Sequence, residues 1–154
     1  MAQSLAKNYI HIVFSTKNRK PLISPSIENK LYAYIGGICR ELECNPVAIG
    51  GHNDHIHILC LLSRKIALFN LVEHVKARSS KWIKTQGEEF SNFYWQDGYG
   101  AFSVSETHTE KLIDYIKFQK KHHQQKNFEN EILEILTQIT QLKFFEISLW
   151  GNPK

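Results

Sequence analysis

Two histidines stand two positions apart in the apolar run NDHIHIL, residues 53–59. In a β-strand, alternate side chains point to opposite faces, so His55 and His57 share one face while Ile56 and Ile58 occupy the other. Their Cβ atoms would lie about 6 to 7 Å apart, close enough for one nitrogen of each imidazole to bind the same divalent ion. The alternative is one surface histidine beside one that packs in the core.

A third metal ligand must come from elsewhere in the chain. Tyr115 and Gln119 are four positions apart in a stretch with a helical pattern, which places them on one helical face. Tyrosine offers a phenol nucleophile and glutamine an amide oxygen, although either residue is common on a helix for structural reasons. Tyr115 and Gln119 indicate a catalytic site only in combination with His55 and His57.

Four segments together resemble the single-tyrosine transposases of the insertion sequence 200/605 type, including their repetitive-element-associated relatives. This family carries a histidine–hydrophobic–histidine motif and is called HUH after it. The resemblance covers nearly the whole chain, and its segments occur in the family's order. They are HIVFSTKNR (11–19), NDHIHIL (53–59), WQDGYGAFSVS (95–105) and YIKFQKKHH (115–123).

The resemblance implies a role for each member of the set. His55, His57 and Gln119 would bind Mg²⁺ or Mn²⁺, and Tyr115 would attack DNA to form a 5′-phosphotyrosine. The expected function is that of a transposase that cuts and rejoins single-stranded DNA with hairpin ends. A homodimer is also implied, with the tyrosine helix acting in its own subunit or in the partner.

Two other functions remain open. The first is a domesticated nucleic-acid-binding module that keeps the fold without cleaving. The second is a metallohydrolase that uses the two histidines without a covalent step. Retention of Tyr115 and Gln119 beside His55 and His57 favours the transposase.

The pattern of elements predicts an α+β fold. Strands are expected at 8–17, on both sides of a turn at GGHND within 45–63, and at the end of 92–105, with helices at 26–43, 66–86, 110–126 and 128–142. The order β-α-β-β-α-β followed by helices predicts a ferredoxin-like sandwich with an antiparallel sheet, the HUH endonuclease fold, plus C-terminal helices. Residues 1–154 are expected to form a single domain.

Composition limits the classes of function. With 154 residues, 42% of them apolar and 22% charged, the chain is an ordinary globular protein. A net charge of +4 gives only a mild preference for polyanions. Three cysteines without metal-type spacing are expected to be reduced and structural. No signal peptide or membrane span is evident, so we expect a cytoplasmic protein.

Basic residues suggest where DNA would bind. A basic segment with an interleaved tryptophan in the second predicted helix is the strongest candidate, and the connector after the first strand is the next. The predicted contacts are Lys17, Arg19, Lys76, Arg78, Lys81 and Lys84. Each is individually about as well explained by a solvated helix face.

Two further polar residues near the motif receive structural predictions. Asp54 precedes the histidine strand and could orient a ligand imidazole, but strand alternation would put it on the opposite face and favours a role in the turn. His11 lies on the first strand, and simple packing or surface exposure is expected for it.

Overall fold

The computed structural model describes residues 3–119. In that part of the chain, strands and helices follow the order β-α-β-β-α-β-α, with short 3₁₀ turns between some of them. The strands are β1 (Tyr9–Ser15), β2 (Pro46–His52), β3 (His55–Leu61) and β4 (Gly100–Val104). The helices are α1 (Glu28–Glu41), α2 (Leu68–Ile83) and α3 (Thr109–Lys117).

The strands form one antiparallel sheet in the order β2-β3-β1-β4. The histidine strand β3 is therefore central, with β1 on one side and β2 on the other. His57 lies opposite Val13 of β1 and opposite Gly50 of β2. This strand order is ferredoxin-like, which confirms the predicted α+β sandwich with an antiparallel sheet.

The two faces of the sheet have different partners because side chains alternate along each strand. One face builds the main core with α1 and α2 and includes Ile12, Phe14, Ile56, Ile58 and Cys60. On the other face, Leu59 and Ala48 pack against Ile116 of α3. The histidines of β1 and β3 are on the side of α3, because they alternate with the core residues.

A loop between α2 and β4 runs beside the end of β1. The backbone N–H of Lys17 donates to the carbonyl of Tyr94 (2.8 Å), and Trp95 forms a β-bridge with Thr16. The ring of Trp95 packs edge-on against Phe14, with centroids 4.8 Å apart. These contacts attach the loop to the end of the sheet where β3 begins, because Thr16 N–H also donates to the carbonyl of Asp54 (2.8 Å).

Two predicted elements have different bounds in the structure. The turn predicted over GGHND is shorter, because Gly50, Gly51 and His52 continue β2 and the turn is confined to Asn53 and Asp54. The third predicted helix is interrupted at Phe118, which leaves helical geometry with φ −103° and ψ 29°, and Gln119 is helical again.

The rest of that helix, to residue 126, and the predicted helix at 128–142 lie outside the described residues. Cys39, Cys44 and Cys60 are free and buried, as expected of structural cysteines. Within residues 3–119, no helix is long and apolar enough to span a membrane.

Candidate functional site

The two histidines of β3 lie beneath α3 and are excluded from solvent. His55 and His57 are both 0% exposed, and their ring planes are nearly perpendicular with centroids 5.1 Å apart. Both side chains project from the same face of β3, as strand alternation predicts. A buried imidazole needs a partner for its polar atoms, so the contacts of each nitrogen define what the site can do.

Asp54 fixes the orientation of His55. Its carboxylate Oδ1 lies 2.7 Å from His55 Nδ1, which donates the hydrogen bond because an ionised carboxylate only accepts. Of the two roles considered for Asp54, this contact supports the orientation of an imidazole over the favoured role in the turn alone. Strand alternation does not apply to Asp54, since this residue lies in the turn before β3 and its side chain is free to reach its neighbour.

His11 of β1 contacts the second histidine. Its Nε2 lies 2.8 Å from His57 Nδ1, and His11 itself is buried with 3% exposure. The prediction of surface exposure or simple packing is therefore wrong, because β1 and β3 are neighbours and these two residues share a face. Burial lowers the pKa of His11 well below its usual value, and the adjacent His57 lowers it further.

Gln119 reaches His55 from the end of α3. Its Nε2 donates to the carbonyl of Tyr115 (3.1 Å), which leaves Oε1 to face His55 Nε2 at 3.1 Å. Gln119 is 1% exposed and follows the end of α3 at Lys117 by two residues. It therefore reaches the histidines from the position directly after the interruption of the helix at Phe118.

Tyr115 lies above the other histidine. The centroid of its ring is 5.6 Å from that of His57, and the two ring planes are almost perpendicular at 83°. Tyr115 and Gln119 belong to the same chain as the histidines that they approach. The structure thus brings together the four residues that the sequence singles out.

Gly50 of β2 allows α3 to come this close to the sheet. A Cβ atom on Gly50 would lie 2.4 Å from the backbone oxygen of Ile116, which follows Tyr115 in α3. No real Cβ approaches backbone at this distance, so any larger residue would push the helix away. The absence of a side chain at Gly50 is therefore a condition for placing Tyr115 above His57.

The donor atoms suit a divalent cation. With Nδ1 of His55 donating to Asp54, a neutral His55 presents a lone pair at Nε2 to the lone pairs of Gln119 Oε1. Two such acceptors 3.1 Å apart repel each other unless a proton on Nε2 or a metal ion lies between them. Adjacent ligands of an octahedral ion with bonds of about 2.1 Å also lie about 3 Å apart.

His57 is the third proposed ligand, beside His55 and Gln119. Among residues 3–119, no group of three His, Cys, Asp or Glu side chains could hold a metal ion. A three-ligand site here would therefore need a donor of another kind beside His55 and His57, and the amide oxygen of Gln119 lies next to His55. A mixed nitrogen and oxygen set without thiolate is appropriate for Mg²⁺ or Mn²⁺.

Of the predicted DNA contacts on α2, Lys76 and Arg78 are hydrogen-bonded within the protein, whereas Lys81 is exposed. Lys76 Nζ donates to the carbonyl of Gln96 (2.8 Å) and lies 5.2 Å from the centroid of the Phe14 ring. Burial lowers its pKa to about 8, with Asp97 opposing the change. Lys76 thus anchors the loop after α2, and the prediction that it contacts DNA is not supported by its position.

Arg78 is paired within the protein, whereas other basic residues face solvent. Its guanidinium donates to Glu41 at 2.6 Å. Lys17 and Lys81 are exposed, and Arg19 is partly buried beside Lys17. Lys84 places its ammonium 4.0 Å from the centroid of the Tyr94 ring, which is 57% exposed.

The fold is that of known transposases. A transposase-class protein from Deinococcus radiodurans R1 superposes with a TM-score of 0.60 and 19% identity, covering 77% of this chain and 98% of that one. The REP-associated tyrosine transposase bound to a REP hairpin superposes with a TM-score of 0.57 and 14% identity, covering 97% and 94%. No functionally curated protein matches the sequence.

A family match then identifies the protein more closely. Residues 4–119 match the family described as Transposase IS200 like. The chain belongs to the IS200-like transposase family.

Proposed function

We propose that this transposase cleaves and rejoins single-stranded DNA beside hairpins through a 5′-phosphotyrosine on Tyr115, with Mg²⁺ or Mn²⁺ bound by His55, His57 and Gln119. The observation that carries the proposal is the position of Tyr115, whose ring lies 5.6 Å from that of His57. One helical turn later, Gln119 Oε1 lies 3.1 Å from His55 Nε2. The proposed nucleophile and two of the proposed metal ligands thus lie on one face of the sheet, which supports the proposal.

The proposed reaction is a transesterification. The phenolic oxygen of Tyr115 attacks phosphorus, a new P–O bond forms, and the bond from phosphorus to the 3′ oxygen breaks. The phenol loses its proton, and the departing strand leaves as a 3′-OH. A bound divalent ion would neutralise a non-bridging phosphate oxygen and so favour the charge that builds up at phosphorus.

Rejoining follows from the same chemistry. Because one phosphodiester linkage replaces another, a 3′-OH of a second strand can attack the phosphotyrosine and release Tyr115. No nucleotide cofactor is then needed. Tyr115 itself packs against the apolar cluster of Ala48, Leu59 and Ile116 between α3 and the sheet.

The proposed partner is DNA with hairpin ends, and the proposed assembly is a homodimer, as the family resemblance implies. A solved relative of the same fold is bound to a REP hairpin, which supports this class of ligand. Tyr115 already approaches His57 of its own chain. A dimer would therefore not be required to complete this arrangement.

Lys17, Tyr94 and Lys84 form a surface suited to a single strand. Lys84 lies over the exposed Tyr94 ring, and the backbone of Lys17 is bonded to that of Tyr94. Unpaired bases stack on exposed aromatic rings while lysines contact phosphates. The surface adjoins the start of the histidine strand, because Thr16, the residue before Lys17, donates its backbone N–H to the carbonyl of Asp54.

A comparison of two lysines tests this surface. Lys84→Met should reduce the slope of log affinity against log salt for single-stranded DNA by about 0.7, as expected for one lost phosphate contact. Lys76→Met should leave the slope unchanged and lower the melting temperature, because Lys76 bonds to the loop after α2. Fluorescence titrations at several salt concentrations and thermal unfolding provide the measurements. An unchanged slope for Lys84→Met would exclude Lys84 from the interface.

Covalent capture tests the proposed function directly. The protein is mixed with a hairpin-bearing single strand labelled on either side of the cleavage site, in Mg²⁺, Mn²⁺ or a chelator. A denaturing gel should show the label 3′ of the cleavage site on the protein, only when the metal is present. Tyr115→Phe should abolish the adduct because it lacks the attacking oxygen.

Tyr99→Phe is the matched control, because Tyr99 packs against the main core on the other face of the sheet. It should form the adduct at nearly the wild-type rate. An adduct formed by Tyr115→Phe would refute the assigned nucleophile. Hairpin binding with no adduct in either metal would instead support the domesticated binding module, and metal-dependent hydrolysis without Tyr115 would support a metallohydrolase.

A further inference from the structure

His11 is placed to control the tautomer of one proposed metal ligand. It lies on β1, while His57 lies on β3, and the two rings meet across the boundary between these strands. The N···N distance is 2.8 Å, and the ring planes are only 22° apart. The ring centroids are 5.1 Å apart, which is the N···N distance plus roughly the radii of the two rings. The rings therefore meet edge to edge and do not stack.

The hydrogen bond between two neutral imidazoles has two forms. If His57 donates from Nδ1, its Nε2 carries a lone pair and is able to bind a metal ion. If His11 donates from Nε2, the proton of His57 must lie on its own Nε2, and that atom is blocked. The direction of one buried hydrogen bond therefore decides whether His57 is a ligand.

We infer that His11 is a positioning residue that accepts a hydrogen bond from His57 Nδ1–H and so holds His57 Nε2 ready for the divalent ion. The inference rests on the proposed function, since it assigns a purpose to the ligand set described above. Neither residue is solvent-accessible, with His11 3% and His57 0% exposed, so water does not readily replace His11 as the acceptor.

The two proposed histidine ligands are consequently supported in different ways. His55 donates to the carboxylate of Asp54 at 2.7 Å, whereas His57 donates to a neutral imidazole. A carboxylate increases the basicity of a ligand imidazole more than a neutral acceptor does. His11 thus fixes the tautomer and ring angle of His57 without adding a negative charge to the buried site.

Substitutions of His11 separate this role from packing. His11→Phe keeps an aromatic ring of similar size but removes the acceptor, while His11→Gln replaces the ring and keeps an acceptor oxygen at a similar reach. If His11 positions His57, Phe should weaken Mn²⁺ binding about 10- to 100-fold, as is typical of partners that orient ligands. Gln should restore most of the affinity. If His11 only packs against its neighbours, His11→Phe should retain more Mn²⁺ affinity than His11→Gln.

The measurements are Mn²⁺ titration calorimetry without DNA and the imidazole ¹⁵N spectrum of metal-free protein, with the His57 signals assigned through their loss in His57→Asn. Wild type should show the proton of His57 on Nδ1, and His11→Phe should show it at least partly on Nε2. An Nε2–H tautomer in the wild type would overturn the inference, even if a variant failed to fold. Failure of wild type to bind Mn²⁺ would instead contradict the proposed function, while the metal-free spectrum still decides the role of His11.

Discussion

Gly50→Ala is expected to reduce formation of the covalent DNA adduct about 100-fold, because a misplacement of about 1 Å is sufficient for such a loss. The added Cβ would lie 2.4 Å from the backbone oxygen of Ile116 and 3.0 Å from its Cγ2. Backbone cannot rotate aside as a flexible side chain can, so α3 must move away from the sheet. Tyr115 precedes Ile116 and would move with it.

The substitution should also lower the free energy of unfolding by about 1 to 3 kcal/mol, which is typical of overpacking. The main core lies on the opposite face of the sheet and should remain folded, so hairpin binding should persist. The adduct assay, thermal unfolding and a binding titration measure the three effects separately.

Gly37→Ala is the matched control for the same chemical change. Nothing lies within 4 Å of a Cβ at this position on the exposed side of α1. Alanine should stabilise the helix by up to about 1 kcal/mol and leave the adduct rate unchanged. If Gly50→Ala formed the adduct as fast as Gly37→Ala, close contact between α3 and β2 would be unnecessary for the reaction.

His55→Asn is expected to lower both Mn²⁺ affinity and the adduct rate by about 100-fold or more, since an essential ligand is lost and metal ions supply several kcal/mol of transition-state stabilisation. Asparagine keeps an amide donor near the position of Nδ1, so the contact with Asp54 can persist. The atom that faces Gln119 Oε1 across 3.1 Å in the wild type is missing. The design removes the proposed ligand while disturbing its surroundings as little as the site permits.

The control for this substitution is His74→Asn on the exposed surface of α2. It should match the wild type in Mn²⁺ titration calorimetry and in the gel assay. Circular dichroism of both variants checks that the sheet is intact. Wild-type Mn²⁺ affinity in a folded His55→Asn protein would show that the metal binds elsewhere.

The sequence is informative about residues that a repeating geometry relates to one another. The period of two in a strand places His55 and His57 on one face, and β1 and β3 alternate in the structure as expected. A separation of four predicted that Tyr115 and Gln119 lie on one side, and both approach the histidines in the structure. The helix is interrupted at Phe118, and the bond to the Tyr115 carbonyl holds the side chain of Gln119 on this side.

Local patterns were least informative about residues beside the motif. Strand alternation favoured a turn role for Asp54, but a residue in a turn does not follow the period of the strand. The contact of His11 with His57 could have been predicted from the sequence. The predicted ferredoxin-like order makes β1 the neighbour of β3, and their polar faces are then adjacent. Lys76 was indistinguishable from its basic neighbours, since sequence does not show which lysine of a helix finds backbone carbonyls to bond.

The sequence alone determined the strand and helix order, the shared face of His55 and His57, and the resemblance that linked them to Tyr115 and Gln119. These follow from short-range periodicity and from residue identity. Only the tertiary structure decided the hydrogen bond between His57 and His11, 46 residues apart, and the approach of α3 over Gly50. Both depend on which strands become neighbours and how closely a helix packs on them, and those are properties of the folded chain as a whole.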